Sequence, residues 1–140
     1  MISYLNLNLG RLAILDRVLK ILICDDSMLL RKKLTRELES QGCEVIEAAD
    51  GKEAVLMFLK HQPDGVFLDI VMPQVGGLEA LQAIREINKQ AHVVMLSSAG
   101  TSAKLVEALK LGAKDFIQKP YNDEQIRKAL SDIRGGAAHA

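Results

Sequence analysis

Acidic, hydroxyl and amino side chains stand at the ends of short apolar segments of this 140-residue chain. The segment ILIC is followed directly by the adjacent carboxylates Asp25 and Asp26, and the segment VFLD ends in Asp69. VVML is followed by Ser97, and DFIQ leads to Lys119. Three carboxylates, a hydroxyl and an ammonium can together hold a divalent cation and a phosphoryl group, provided that the fold brings them to one place.

The three carboxylates would repel one another if they came together. Two carboxylates about 4 Å apart repel by ~1 kcal/mol in water and by ~4 kcal/mol at an effective dielectric constant of ~20. Oxygen ligands with room for water suit Mg²⁺, which is held through carboxylates and phosphate oxygens. Asp69 is the candidate nucleophile, because a carboxylate can accept phosphate covalently as an aspartyl phosphate. Lys119 could then pair with one phosphoryl oxygen, and Ser97 could donate a hydrogen bond to another.

The elements that must position these side chains follow one repeating pattern over residues 20–133. Short apolar segments alternate with segments of helical periodicity, such as Leu30, Leu34 and Leu38 spaced four apart after the candidate N-cap Ser27. Strict alternation with nearly continuous apolar strands predicts an α/β domain with a five-stranded parallel sheet, covered by helices on both faces. In such a sheet, polar groups gather outside the carboxyl ends of the strands.

The two ends of the chain lie outside this pattern. Residues 1–19 alternate leucine with asparagine in part, which predicts either an arm that packs on the domain or on a neighbouring copy, or a segment of artificial origin. The last helix of the pattern has Asn122 as its candidate N-cap. Residues 134–140 are predicted to be a flexible tail after that helix.

Composition narrows the classes of protein to consider. Lys and Arg together number 18, as do Asp and Glu, so the chain has no net charge and is not expected to bind nucleic acid or a membrane surface. It has neither an apolar run near 18 residues nor the pattern of a signal peptide. Cys24 and Cys43 lie in apolar runs, which favours reduced core cysteines and a cytoplasmic location. The histidines, His61, His92 and His139, show no metal-ligand spacing.

Residues 20–133 resemble the receiver domains of bacterial two-component response regulators. The resemblance rests on ICDDS, VFLDIVMPQVGG, VVMLSSAG and GAKDFIQKP, which together are highly specific. It implies a doubly wound, flavodoxin-like sheet with strand order 2-1-3-4-5, the order that chemotaxis receivers share with flavodoxin. It also implies a signalling protein rather than an enzyme, capable at most of self-phosphorylation and slow self-dephosphorylation. About seven residues follow residue 133, so a stand-alone receiver of the chemotaxis type is expected.

The resemblance also implies roles for particular residues. Asp69 would be the phosphoacceptor, and Asp25, Asp26, Asp69 and the backbone carbonyl of Val71 would hold the Mg²⁺. Lys119 would bind the phosphoryl group. A sensor histidine kinase or a histidine phosphotransfer domain would be the donor.

Further expectations concern signalling and partners. Ser97 and Phe116 would form the switch pair, and the fourth helix, fifth strand and fifth helix would form the face that binds a protein target. Met28 and Leu29 are predicted to face outward near the acidic edge, as a docking patch for the donor. A monomer or a weak dimer is expected, the latter through residues 1–19.

Several features depart from the family pattern. The pair Gly76-Gly77 replaces a polar residue before glycine, which predicts a loosened third helix and a missing cap. Val71 and Ala99 stand where receivers that lose phosphate quickly carry polar side chains. Phe116 has no hydroxyl for a readout that depends on tyrosine.

Other functions remain open from the sequence. The chain could be an intermediate of a multi-step phosphorelay or a degenerate receiver that acts as a scaffold. A Mg²⁺-dependent phosphatase or mutase would usually carry a second Asp two residues after the nucleophile, where this chain has Val71. A flavin or nucleotide module would need a first loop rich in glycine or hydroxyl residues, whereas this loop carries Asp25 and Asp26.

Overall fold

Strands and helices alternate throughout the part of the chain that the computed structural model describes, residues 18–139. The predicted N-terminal arm, residues 1–19, lies almost wholly outside it. The elements are β1 (Lys20–Cys24), α1 (Met28–Ser40), β2 (Glu44–Ala48), α2 (Gly51–His61), β3 (Gly65–Asp69), α3 (Gly77–Ile87), β4 (Val93–Ser97), α4 (Ser102–Lys110), β5 (Asp115–Gln118) and α5 (Asp123–His139).

The strands form one parallel sheet in the order β2-β1-β3-β4-β5. This confirms the predicted order 2-1-3-4-5. The chain starts in β1 beside the centre, adds β2 on one side, and then crosses β1 to add β3, β4 and β5 on the other side. The reversal puts the carboxyl ends of β1 and β3 next to each other, which is where such folds place their ligands.

Two apolar layers cover the sheet. Successive side chains of a strand point to opposite faces, so Leu22 and Cys24 pack into one layer while Ile21 and Ile23 pack into the other. Helices α2, α3 and α4 supply the first layer, and α1 and α5 supply the second. Each fully buried aliphatic side chain contributes about 1.5–3 kcal/mol, so the central strands are strongly held.

Helix caps fix the chain at the acidic edge of the sheet. The Ser27 hydroxyl accepts a hydrogen bond from the Leu30 N–H at 3.3 Å. Asn122 Oδ1 accepts from the Gln125 N–H and Gln125 Oε1 accepts from the Asn122 N–H, both at 2.9 Å, which is a reciprocal capping box. Both predicted caps are therefore confirmed.

The sequence predicted that Leu30, Leu34 and Leu38 form one buried stripe of α1, and this prediction is wrong for Leu30. Leu34 and Leu38 are buried, whereas Leu30 is 39% exposed and Thr35 takes part in the buried face instead. A spacing of four residues overshoots the helical turn of 3.6 by about 40° at each step. The first turn of α1 also follows the carboxyl edge of β1, so it lies where the sheet gives little cover.

The last helix is longer than the sequence predicted. The tail predicted over residues 134–140 is helical as far as His139. Two glycines at 135–136 each disfavour a helix interior by about 1 kcal/mol, but the alanines at 137–138 are the best helix formers. The boundary predicted near residue 133 is therefore too early. No helix within residues 18–139 has both the length and the apolar character that a membrane span requires.

The start of α3 packs directly against the end of β3. Gly76 caps the helix without a side-chain bond, as expected from the missing polar residue. A Cβ added to Gly77 would overlap the carbonyl oxygen of Asp69 and lie 2.7 Å from the Cα of Ile70. The N–H of Gly77 donates to the Ile70 carbonyl oxygen at 3.0 Å. Gly77 thus permits a close approach, whereas the prediction was a loosened helix start.

Replacing Gly77 with alanine is expected to destabilise the fold by about 1–3 kcal/mol, because backbone must shift to make room. In an unconstrained helix the same change would stabilise by up to about 1 kcal/mol, so the sign is diagnostic. Urea unfolding measures it. Gly76→Ala is the matched control, since its Cβ would meet nothing nearer than 3.9 Å. Equal losses in the two variants would contradict the close packing.

Candidate functional site

The predicted site residues come together at the carboxyl edge of the sheet. Asp25 follows β1, Asp69 and Ser97 are the last residues of β3 and β4, and Lys119 follows β5. Asp25, Asp69 and Ser97 are buried, at 2%, 6% and 4% exposure, whereas Asp26 is exposed. The site is therefore a pocket with buried polar groups at its base and solvent access on the side of Asp26.

The three carboxylates form a compact oxygen cluster. Asp25, Asp26 and Asp69 each offer one oxygen, and these atoms all lie within 4.8 Å of one another. Hard oxygen donors beside an exposed rim, where water can complete the coordination, fit Mg²⁺ better than the softer metals that prefer sulfur or imidazole. The backbone carbonyl of Val71 stays a predicted ligand. The backbone of Val71 lies close enough to lower the pKa of the Asp69 carboxyl, in opposition to burial.

Lys119 supplies the positive charge of the site. Its Nζ donates to Asp25 Oδ2 at 2.8 Å and to Asp69 Oδ2 at 3.2 Å, so one ammonium bridges two strand ends. Its backbone N–H donates to the Ser97 carbonyl oxygen at 2.7 Å. A cis peptide bond joins it to Pro120. Chain segments far apart in the sequence are thus fixed around a single cation.

The pKa values of the two central groups follow from burial and charge. Burial raises the pKa of Asp69, and the nearby negative charge of Asp25 adds to this, while Lys119 opposes it. Burial alone would lower the pKa of Lys119, but the hydrogen bond to Asp25 and the charge of Asp69 outweigh burial and raise that pKa. Lys119 therefore stays protonated at neutral pH and can attract an incoming phosphoryl group.

Cys24 borders the site without contributing a reactive thiol. Its Sγ lies 3.2 Å from the Asp50 carbonyl oxygen and 3.3 Å from Met72 Sδ. Burial, together with the charges of Asp50, Asp69 and Asp25, raises the pKa of Cys24 to about 12. A thiolate is needed for nucleophilic attack, so this cysteine is inert at neutral pH. Its burial confirms the predicted core role.

The predicted switch and docking residues lie at the surface around the site. Phe116 on β5 is 42% exposed. Met28 and Leu29, in the first turn of α1, are 67% and 79% exposed, as the helical periodicity predicted. Their signalling roles stay predictions, because exposure shows only that a partner could reach them.

Two residues near the site, Arg31 and Glu47, were not predicted from the sequence. Arg31 Nη1 donates to the backbone carbonyl oxygen of Asp25 at 2.7 Å, and Arg31 Nε donates to Glu47 Oε1 at 2.9 Å. One signal was available in the sequence. A cation near the start of a helix is unfavourable to the helix dipole, so Arg31 close after the Ser27 cap calls for an anionic partner.

A cavity of about 590 Å³ lies at the opposite edge of the sheet. Phe58, Asp64, His92 and Ile133 are among the residues that line it, and none of the predicted site residues does. The chemistry described above therefore belongs to the acidic carboxyl edge and not to this cavity.

Comparisons with known proteins agree with this geometry. Residues 21–131 match the response regulator receiver domain family. The chain is 42% identical to the chemotaxis protein CheY of Listeria monocytogenes over 114 residues, which cover 81% of this chain and 96% of that protein. It is 38% identical to the chemotaxis protein CheY of Bacillus subtilis over 113 residues, covering 80% and 94% of the two chains.

A solved structure extends the likeness to three dimensions. A CheX–CheY–BeF₃–Mg complex from Borrelia burgdorferi contains a chain that superposes with a TM-score of 0.76 at 37% identity, covering 82% of this chain and 88% of that one. The family match spans most of the sequence, and the acidic edge carries the carboxylates and the lysine on which the resemblance rests. The chain therefore belongs to the response regulator receiver domain family.

Proposed function

We propose that the chain acts as a receiver that takes a phosphoryl group onto Asp69. The observation that carries the proposal is the buried Asp69 carboxylate, beside Asp25 and Asp26 and hydrogen-bonded to Lys119. The donor would be a phosphohistidine of a sensor histidine kinase or a histidine phosphotransfer domain. Its N–P bond breaks as a carboxylate oxygen of Asp69 bonds to phosphorus, and the imidazole leaves.

The acidic cluster would hold Mg²⁺ through Asp25, Asp26, Asp69 and the Val71 carbonyl. When bound, the ion would neutralise the charge on the transferring phosphoryl oxygens. The protein's own part is positioning. Lys119 is already aimed at Asp69 and would exchange part of that contact for a phosphoryl oxygen. This accords with phosphoryl transfer in general, which depends on orientation and charge neutralisation more than on an acid or base.

Phosphorylation would switch the partner-binding face formed by α4, β5 and α5. The Ser97 hydroxyl would bond a phosphoryl oxygen, and the half-exposed ring of Phe116 would reorient into the space vacated. The likeness to chemotaxis proteins supports a cytoplasmic role in chemotaxis or related signalling, and the Borrelia complex supports a protein target. The exposed pair Met28 and Leu29 would meet the donor beside the site.

The test is incubation of the purified chain with acetyl phosphate, with and without Mg²⁺. Intact-mass spectrometry should show one added phosphoryl group per chain. Chelation of the metal should slow the addition about 100-fold, which corresponds to ~2.7 kcal/mol of lost charge stabilisation. Incorporation at the same rate after chelation would contradict the metal site, and no incorporation under either condition would contradict the function.

Ser97→Ala should still accept phosphate but should lose the switch. A hydrogen bond to a charged group contributes about 1.5–3 kcal/mol, enough to shift the balance between two conformations about 10-fold or more. The measurement is the NMR resonance of the Phe116 ring before and after phosphorylation. It should move in the wild type and in Ser97→Thr, which keeps the hydroxyl, but not in Ser97→Ala. A full shift in Ser97→Ala would remove Ser97 from the mechanism.

A further inference from the structure

Arg31 connects the acidic edge of the sheet to β2, one of its two edge strands. Its guanidinium donates to the Asp25 carbonyl oxygen at 2.7 Å and to Glu47 Oε1 at 2.9 Å. A guanidinium is a planar fork, so it can hold two acceptors in a fixed relative position. The side chain is only 13% exposed, which shields both bonds from competing water.

The end of β2 holds the backbone of Asp25 on both sides of its Cα. The Asp25 N–H donates to the Ala48 carbonyl oxygen at 3.3 Å. The Asp25 carbonyl accepts from Arg31, which Glu47 anchors, and Glu47 immediately precedes Ala48. The Ser27 N–H donates to Asp25 Oδ1 at 2.9 Å. With both flanking peptide groups fixed, the direction in which the Asp25 carboxylate leaves the backbone is fixed as well.

Glu47 is a charged anchor with a second partner. Lys32 Nζ donates to its Oε2 at 2.8 Å from a side chain that is 51% exposed. Burial would raise the pKa of Glu47, but the hydrogen bonds from Lys32 and Arg31 outweigh it and lower that pKa. Lys32 therefore shares the Glu47 anchor with Arg31, while the bond to the Asp25 carbonyl belongs to Arg31.

We propose that Arg31, anchored by Glu47, is a positioning residue that presets the Asp25 carboxylate to share a divalent cation with Asp69. The inference rests on the proposed magnesium site. Electrostatics alone predicts the opposite effect, because a guanidinium near a cation site repels the cation and its removal would tighten binding. Loss of a partner that orients a metal ligand instead weakens metal affinity by about 10–100-fold. The sign of the change therefore separates the two roles.

The experiment measures the Mg²⁺ dissociation constant by isothermal titration calorimetry. Arg31→Met should weaken binding about 10-fold. Arg31→Lys should lose most of the same affinity, although it keeps the charge and most of the packing, because a single ammonium does not reproduce the two-armed fork. Lys32→Met is the matched control and should change affinity little, since it removes only an exposed pair with Glu47. Unchanged or tighter binding in Arg31→Met, or an equal loss in Lys32→Met, overturns the inference.

A second readout needs no metal. The ¹⁵N resonance of the Asp26 amide reports on the peptide group that contains the Asp25 carbonyl, so it should shift in both Arg31 variants and stay in place in Lys32→Met. A resonance that Arg31→Met leaves unmoved overturns the inference whatever the metal does. A wild-type chain that binds no Mg²⁺ at millimolar concentration contradicts the proposed metal site instead, so the two failures are distinguishable.

Discussion

Replacing Asp69 with asparagine is expected to reduce phosphoryl incorporation from acetyl phosphate at least about 100-fold, or by ~2.7 kcal/mol or more of activation free energy. Asparagine keeps the shape of the side chain and can still accept a hydrogen bond from Lys119, but its amide is not a nucleophile toward phosphorus. The measurement is a time course of intact mass in the presence of Mg²⁺. Labelling of the variant at the wild-type rate would show that Asp69 is not the acceptor.

A matched control comes from Asp50, in the loop that follows β2. Asp50 caps α2 by accepting a hydrogen bond from the Glu53 N–H at 2.8 Å, a role that asparagine fills equally well. Asp50→Asn should therefore incorporate phosphate normally. If it lost incorporation as Asp69→Asn does, the effect would have to be attributed to the general acidity of this edge.

Stability provides an independent check on Asp69→Asn. Burial raises the pKa of Asp69 in the folded state above its value in the unfolded chain. The stability that the neutral carboxyl contributes is therefore fully present below the unfolded-state pKa and is lost as pH rises through the folded-state pKa. Asparagine stays neutral at every pH. The variant should therefore unfold at a higher urea concentration than the wild type at neutral pH without metal, and this advantage should shrink on acidification.

The second large effect concerns the lifetime of the aspartyl phosphate, which is expected to be minutes or longer in the isolated chain. Hydrolysis needs a water held in line with the bond that breaks. Val71 and Ala99 are exposed at the rim of the site, and neither side chain can donate or accept a hydrogen bond to hold that water. Losing about 1.4–2.7 kcal/mol of positioning slows the step about 10- to 100-fold.

Polar side chains at these two positions should accelerate the loss. The double variant Val71→Asn with Ala99→Glu is expected to dephosphorylate about 10- to 100-fold faster than the wild type. The decay of intact mass after removal of the donor measures the rate. Val71→Leu with Ala99→Val, which alters size without adding polarity, should stay slow. A wild-type half-life of a few seconds, or no acceleration in the polar variant, would show that another group controls the water.

Local patterns were sufficient to predict the elements and the acidic edge. Alternating strand and helix periods predicted a parallel five-stranded sheet covered by helices on both faces, which the structure confirms. The order of the strands came from the family resemblance. Because parallel strands all end at one edge, Asp25 and Asp69 could be brought together without knowing any contact between them. The location of a side chain at the end of a strand can thus be predicted whenever the strand itself is predicted correctly.

Contacts between distant segments could not be predicted in the same way. The bond from Arg31 to Glu47 spans 16 residues, and the bond from Lys119 to Asp25 spans 94. Such bonds depend on the register of neighbouring strands, which the helical and strand periods leave open. The predicted burial of Leu30 was wrong for a related reason, because the periodicity of a helix does not show where the sheet beneath it ends.

The backbone hydrogen bond from Lys119 to Ser97 restricts how a signal can leave the site. It extends the pairing of β4 with β5 by one residue beyond the pair Ser97 and Gln118. Sliding one strand along the other would break these backbone hydrogen bonds, which favours movement of the two strands together. In the proposed switch, the change would therefore pass through the side-chain torsion angles of residues such as Phe116. The proposed switch would then exchange side-chain rotamers while the pairing of β4 with β5 stays as it is.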